Sequence, residues 1–443
     1  MTLKDLDNKK ICILGLGIEN LSLLEFLLKK KVSADIIVCD ARSEKQMHTR
    51  CDSIINLAKK QKTKIKFVYG KNYDKNLKSF DIIFRIAGYP LFKPEIINAM
   101  IAGVKIYSAT KLFFDLCPTK NIIGVTGSKG KGTTASLIYD ILKTGEKKAF
   151  LGGNIGIPVF SFLPKIKKTD WVVLELSSFQ LEDLHRSPKI AVFTNLFHDH
   201  LASADPNNPN YHKTMNSYWH AKTNVFSHQV AKDTLIINDN LKDKLHHAEV
   251  KSKVIYFNTS DLETPLIGGH NKKNIAAAVL ASQQAGIKKN DIEKSVKKFK
   301  GLEHRLEFVL VKDNIRYYDD SFATTPETAH TALKVFDLES VILIAGGPDK
   351  GSDFTAVAKE IKRKAKSVIL FPGKGSEKIQ RALKKIKFNK IKKASSMPQA
   401  IKIARQNAQP GNVILLSPAC ASFGTFKDYK ERGKLFKEGV KKL

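Results

Sequence analysis

Cysteine is scarce in this sequence: five residues in 443, at positions 12, 39, 51, 117 and 420, with no C-x-x-C pair. That spacing excludes a disulfide framework and a thiolate zinc site. The cysteines read as small buried hydrophobes of a reducing cytoplasm. No run approaches the roughly 18 apolar residues needed to cross a bilayer, so no membrane partner is expected. The charged opening, MTLKDLDNKK, leads directly into a strand and does not read as a signal peptide. Acidic residues are also short, 43 Asp and Glu against 75 Lys and Arg, which gives a formal net charge of +32. Such a surplus admits nucleic-acid binding, attraction of an anionic substrate, or a solvated lysine face. The densest stretches, 59–66 and 384–393, are almost without interleaved aromatics, which favours the solvated face.

At 443 residues and 42% hydrophobic content, the chain is expected to be globular, with about two to four domains. Its most informative stretch is 121–138, NIIGVTGSKGKGTTASLI. An apolar β-prone run at 122–125 ends in a turn carrying Gly127, Gly130, Lys131 and Gly132, and helical spacing follows. Glycines let backbone N–H groups approach a phosphate, the helix start adds positive potential, and the lysine adds a point charge. The stretch departs from the GxxxxGK[ST] pattern, because Val125 stands at the first glycine and Gly132 follows the lysine. Thr133 or Thr134 would then supply the hydroxyl for Mg²⁺. A nucleoside triphosphate site is expected here, against an ordinary glycine-rich turn.

Upstream, residues 10–14 read as a strand, Gly15-Leu16-Gly17 as a tight turn, then a helix through Leu28 and a strand at 34–39 ending at Asp40. This is the start of a Rossmann-like unit, although Asn20 stands at the third glycine of the dinucleotide fingerprint. A nucleotide over this turn, with Asp40 touching its base or sugar, is expected in preference to NAD. Strands at 65–68, 81–85 and 105–107 and a helix at 94–102 complete a small α/β domain.

Downstream, GGNIG at 152–156 is a second close-approach turn, carrying Asn154. A buried strand at 171–174 ends at Glu175, well placed to bind Mg²⁺ beside a triphosphate, and Ser177-Ser178-Phe179-Gln180 follows. A strand at 190–194 leads to Asn195, His198, Asp199 and His200. No further Cys or His completes a zinc set, so a single histidine reaching Mg²⁺ or phosphate is expected instead. Residues 211–226 read as a helix carrying Tyr218, Ala221 and Lys222, the last by itself one more surface lysine. GHNKKN at 269–274 is a capped helix start with an Asn-rich first turn. Strands at 315–318, 341–345 and 412–416 alternate with helices, as in an open α/β sheet.

VTGSKGKGTT, GGNIG, LELSSFQL, the stretch from Thr194-Asn195 to Asp199-His200, and the helix ending in Ala221-Lys222 resemble the Mur ligases. GHNKKN, GLEHRLE at 301–307 and DDSFAT at 319–324 are similar to further motifs of that family, so the resemblance runs along the whole chain. It implies an α/β protein of three domains: a Rossmann-like, UDP-substrate-binding domain at 1–108, a central P-loop ATPase-like domain at 109–301, and a Rossmann-like domain at 302–443 binding the incoming amino acid. It implies an ATP-dependent amide ligase of peptidoglycan precursor synthesis. ELSSFQL and GGNIG point to a member adding D-glutamate to UDP-N-acetylmuramoyl-L-alanine.

The roles that the resemblance implies are these. Gly127, Ser128, Lys129, Gly130, Lys131, Gly132, Thr133 and Thr134 would cradle ATP, with Lys131 on its β/γ-phosphates and Thr133 on Mg²⁺. Glu175 and His200 would hold two Mg²⁺ ions, the second supported by Lys222 as a carbamate. Asn271, Asn274, Arg305 and Asp320 would also contact ATP. Gly15, Gly17, Asp40, Arg42, Gly88, Asn154 and Ser177 would meet the UDP substrate, and Thr324, Lys350, Ser417 and Phe423 the D-glutamate. The chain departs from the commonest family pattern at Phe322, often a lysine, and at Ile86-Ala87, often Ser-Pro. A cytoplasmic monomer without a nucleic-acid partner is implied. Three alternatives stand beside this reading: a relative using another acceptor or a folate, a non-catalytic nucleotide-binding relative, and a basic nucleic-acid-binding ATPase.

Overall fold

Three sheets carry the chain in a computed structural model that describes residues 1–61, 63–201, 210–246, 248–349 and 351–443, with only the backbone of 48–50. The first sheet holds β1 (Lys10–Leu14), β2 (Asp35–Asp40), β3 (Ile65–Tyr69), β4 (Ile82–Arg85) and β5 (Lys105–Tyr107). Its order is β3-β2-β1-β4-β5, parallel throughout. The second holds β6 (Ile122–Thr126), β7 (Ala149–Gly153), β8 (Trp171–Glu175), β9 (Ile190–Phe193), β10 (Thr234–Asn238) and β11 (Lys253–Phe257). Its order is β11-β10-β9-β6-β8-β7, again parallel. The third holds β12 (Glu307–Lys312), β13 (Ile315–Asp319), β14 (Val341–Ala345), β15 (Ala365–Leu370), β16 (Ile391–Lys393) and β17 (Val413–Leu416). Its order is β12-β13-β17-β14-β15-β16, and β12 alone runs antiparallel.

Strands with apolar residues on both faces need cover on both faces, which is why these runs are continuous and not alternating. In β1, Ile11 and Ile13 enter one core while Cys12 and Leu14 enter another. In β14, Val341, Leu343 and Ala345 face one core and Ile342 and Ile344 the opposite one. The period of two sends successive side chains to opposite faces, and helices on each face bury them.

The chain divides into two compact units, Met1–Asp261 with Lys272–Val296, and Leu262–Asn271 with Lys297–Leu443. The first contains two sheets, joined by a shared core in which Phe26 meets Phe160 with ring centroids 5.0 Å apart. The second contains the third sheet. Among the described residues, no helix is long and apolar enough to cross a membrane.

Some elements differ from the sequence expectation. The helix expected at 211–226 spans only Met215–Thr223. Thr214 is extended, and its hydroxyl accepts from the Ser217 N–H, so the helix starts four residues late at an N-cap. The strand expected at 34–39 lies one residue later, and β12 was not expected at all. Its apolar run at 308–311 is short and is flanked by Glu307 and Lys312, as suits an edge strand.

Candidate active site

Open α/β sheets bind ligands outside the carboxyl ends of their strands, where the strand order reverses. In the second sheet β6 lies between β8 and β9, and each of the three ends on residues singled out above. The loop after β6 is held from β9. The Thr194 hydroxyl donates to the Lys129 carbonyl (2.7 Å), and the Asn195 side chain accepts from the Lys129 N–H (2.8 Å) and donates to its carbonyl (2.9 Å). Gly127 has φ 140°, and a Cβ there would lie 2.0 Å from Thr194 Oγ1; at Gly130, φ 83°, it would lie 2.2 Å from Asn274 Oδ1. Both glycines are therefore obligatory, and Asn274 is brought to the loop that the sequence alone did not connect it with. Lys131 Nζ donates to the carbonyls of Gly127 and Ser128 at 3.0 Å each. Among the described residues, the buried Thr134 hydroxyl has no hydrogen-bond partner.

Lys222 is not a surface lysine. It is 1% exposed, donates to the Gly127 carbonyl at 2.8 Å and lies 4.7 Å from the Tyr218 ring centroid. Burial, and then the charge of Lys131, hold it well below the usual lysine range. Tyr218 in turn has its hydroxyl 3.0 Å from that of Ser128. Glu175, at the end of β8, is buried and accepts from the Asn154 side chain at 3.0 Å. The turn wraps it closely, for a Cβ on Gly153 (φ 89°) would lie 2.3 Å from the Glu175 carbonyl oxygen.

His200 adopts φ 56°, with its ring edge-on to Phe179, centroids 5.1 Å apart. Desolvation lowers its pKa despite Asp199 nearby. His212, which the sequence pattern did not single out, stacks on the same Phe179 at 4.8 Å and has Nε2 2.9 Å from the Ser178 hydroxyl. Burial, then the charges of His200 and Lys222, take it down to about 4. No local signal marks it, because a histidine between Tyr211 and Lys213 has no ligand spacing to a neighbour.

In the first sheet the order reverses between β1 and β4, and the loops after both strands meet. Cβ atoms on Gly15 and Gly17 would fall 2.5 Å and 2.3 Å from Ile86 side-chain atoms. Asn20 takes over the stapling: its amide donates to the carbonyls of Leu14 (3.3 Å), Gly15 (2.9 Å) and Phe84 (3.0 Å). Asp40 accepts from the Leu16 N–H at 2.7 Å and grips the Arg42 guanidinium with both oxygens, at 2.8 and 2.7 Å. Burial raises its pKa, but the bonds from Arg42 and the backbone outweigh that and leave it lowered. Asp40 thus positions Arg42. Arg85, fully buried, donates to the Tyr89 carbonyl (2.8 Å), Phe179 carbonyl (3.3 Å) and Asp183 carboxylate (3.4 Å). It shapes the loop containing Gly88 where Ser-Pro is absent. Ser177 caps the short helix Ser178–Leu181 reciprocally with Gln180, whose amide bonds Glu19 beside the first turn.

In the second unit the carboxyl ends of β13, β17 and β14 adjoin. Asp320 accepts from the Ser417 hydroxyl at 2.7 Å and the Leu306 N–H at 3.1 Å, and burial pushes it up to about 7. Arg432, 1% exposed, clips two loops together through Ser321 O (2.8 Å) and Ala421 O (3.0 Å). Thr324 is half-buried and Phe423 is 54% exposed. Asn271 donates to the Ile267 carbonyl at 2.9 Å. Lys350 lies outside the described residues.

Sequence comparison agrees with this architecture. Residues 9–108 match the Mur ligase MurD-like N-terminal domain, 125–262 the Mur ligase middle domain, and 304–420 the Mur ligase glutamate ligase domain. The chain is 37% identical to the UDP-N-acetylmuramoylalanine–D-glutamate ligase of Acetivibrio thermocellus, covering 99% of this chain and 98% of the relative. This chain belongs to the Mur ligase family. A Mur ligase of the same description from Clostridium tetani is also 37% identical, covering 98% of this chain and 97% of the relative. Among solved Mur ligases, MurC of Thermotoga maritima superposes with TM-score 0.57 at 19% identity, covering 98% of this chain and all of that one. MurF of Thermotoga maritima in complex with ADP superposes with TM-score 0.57 at 15% identity, covering 100% of this chain and 97% of that one. These two likenesses speak for the fold of this Mur ligase alone.

Proposed function

We propose that this Mur ligase joins D-glutamate to UDP-N-acetylmuramoyl-L-alanine in the cytoplasm, as a monomer, with ATP as co-substrate. The observation that carries the reading is near-full-length identity with D-glutamate ligases, 37% over 99% of the chain in one case. Domain boundaries at 108/109 and 301/302 go with it.

The described residues fit a triphosphate: two obligatory glycines, Lys131 at the loop and an unpartnered buried hydroxyl at the helix start. They also fit Mg²⁺, because Glu175 offers a buried carboxylate, Thr133 a hydroxyl, and His200 a ring whose lowered pKa favours its ligating neutral form. Lys222 is a buried amine biased to the neutral state, the form that adds CO₂ to become a carbamate. Two bound ions would neutralise phosphate charge.

In the reaction, an oxygen of the L-alanyl carboxylate attacks the γ-phosphorus and the bond to ADP breaks, leaving an acyl phosphate. The D-glutamate amine then attacks the acyl carbon, loses a proton, and phosphate departs as the amide forms. Such steps need positioning and charge neutralisation more than covalent help. Lys131 and Arg305 are assigned to the phosphates, Asp320 to the ribose, and Asn271 and Asn274 to the nucleotide. Gly15, Gly17, Asp40, Arg42, Gly88, Asn154 and Ser177 are assigned to the UDP substrate, and Thr324, Lys350, Ser417 and Phe423 to D-glutamate. Lys131→Ala is expected to lower turnover about 10²-fold or more while thermal melting stays near wild type. Undiminished ligation by that variant would remove the assignment.

A further inference from the structure

Arg305 lies over the ring of Phe322, with its guanidinium carbon 3.9 Å from the ring centroid. At that distance the negative face of the ring attracts the cation. Phe322 is itself braced. Its N–H donates to the His304 carbonyl at 3.0 Å, and its ring stands edge-on to Tyr429, centroids 5.1 Å apart.

The brace is anchored in the interior. His304 is buried, adopts φ 64°, and has Nδ1 2.6 Å from the Asp319 carboxylate. The neighbouring Ser321 donates to the Tyr429 carbonyl at 2.8 Å and accepts from Arg432 at 3.0 Å. Both partners of the stack therefore sit next to residues that cannot shift without breaking buried bonds. A guanidinium held over a ring keeps its planar fork of donors for bidentate bonds to phosphate oxygens.

We propose that Phe322 is a positioning residue for ATP, its ring orienting the Arg305 guanidinium. The inference rests on the assignment of Arg305 to the ATP phosphates. Steady-state kinetics of the full chain test it. Phe322→Leu keeps apolar bulk but removes the π face, and is expected to raise KM for ATP roughly two- to five-fold. The kcat at saturating ATP and the KM for D-glutamate should hold, and Phe322→Trp should restore the KM for ATP. In an Arg305→Ala background Phe322→Leu should add nothing further. An unchanged KM for ATP in Phe322→Leu, the same rise in the Arg305→Ala background, or a rise confined to the KM for D-glutamate would overturn the proposal. Arg305→Ala with a wild-type KM for ATP would instead reject the assignment of Arg305, a separately readable result.

Discussion

Asp320 combines burial with a proton that its surroundings retain. Its carboxyl is pushed up to about 7 by burial, against the bonds from Ser417 and the Leu306 N–H. An unfolded aspartate has released its proton by about pH 4, so between about pH 4 and about pH 7 the folded chain binds the extra proton. Stability from this group therefore falls as pH rises through that window, and the penalty is complete above it. Asp320→Asn removes the titration. The melting temperature of the variant relative to wild type should climb between about pH 4 and about pH 8. A constant difference across that range would contradict this role of Asp320. Lys222 carries the opposite lesson at the same scale. Nothing in its local sequence separates it from other lysines of the chain, and only the fold shows it buried, with its amine at the Gly127 carbonyl.

At the scale of elements, the turn after β1 depends on Asn20. Its amide ties the carbonyls of Leu14 and Gly15, at the end of β1, to that of Phe84 in β4, and a glycine would remove all three bonds. Asn20→Gly completes the dinucleotide fingerprint on paper, yet it should cost about 1–3 kcal/mol in denaturant melts and confer no NAD binding. A neutral effect on the melt would show that the staple is dispensable. The turns and strands themselves were legible, because an apolar run that breaks into closely spaced glycines marks both the end of a strand and a close backbone approach. The helix at Met215–Thr223 was overextended from sequence because periodicity continues past Thr214, whose capping role competes with it. His212 and Arg85 were not legible. Their roles come from contacts with Phe179, which is distant in sequence from both, and local pattern carries no information about such pairs.

For the whole molecule, the net charge of +32 said little by itself about the partner. Placement says more, since Gly127 and Glu175 in the second sheet, and Asp320 and Ser417 in the third, lie at the carboxyl ends of parallel strands, where fold rules put small-molecule sites. The three-domain α/β architecture was readable from motif order, while the antiparallel β12 was not. The proposed function couples ATP turnover to one acceptor. It is tested most directly by phosphate release from ATP and Mg²⁺ with UDP-N-acetylmuramoyl-L-alanine, comparing D-glutamate, L-glutamate and L-lysine. The predicted result is release that requires both the nucleotide-linked substrate and D-glutamate. Release indifferent to the amino acid, or satisfied by L-lysine or L-glutamate, would contradict it.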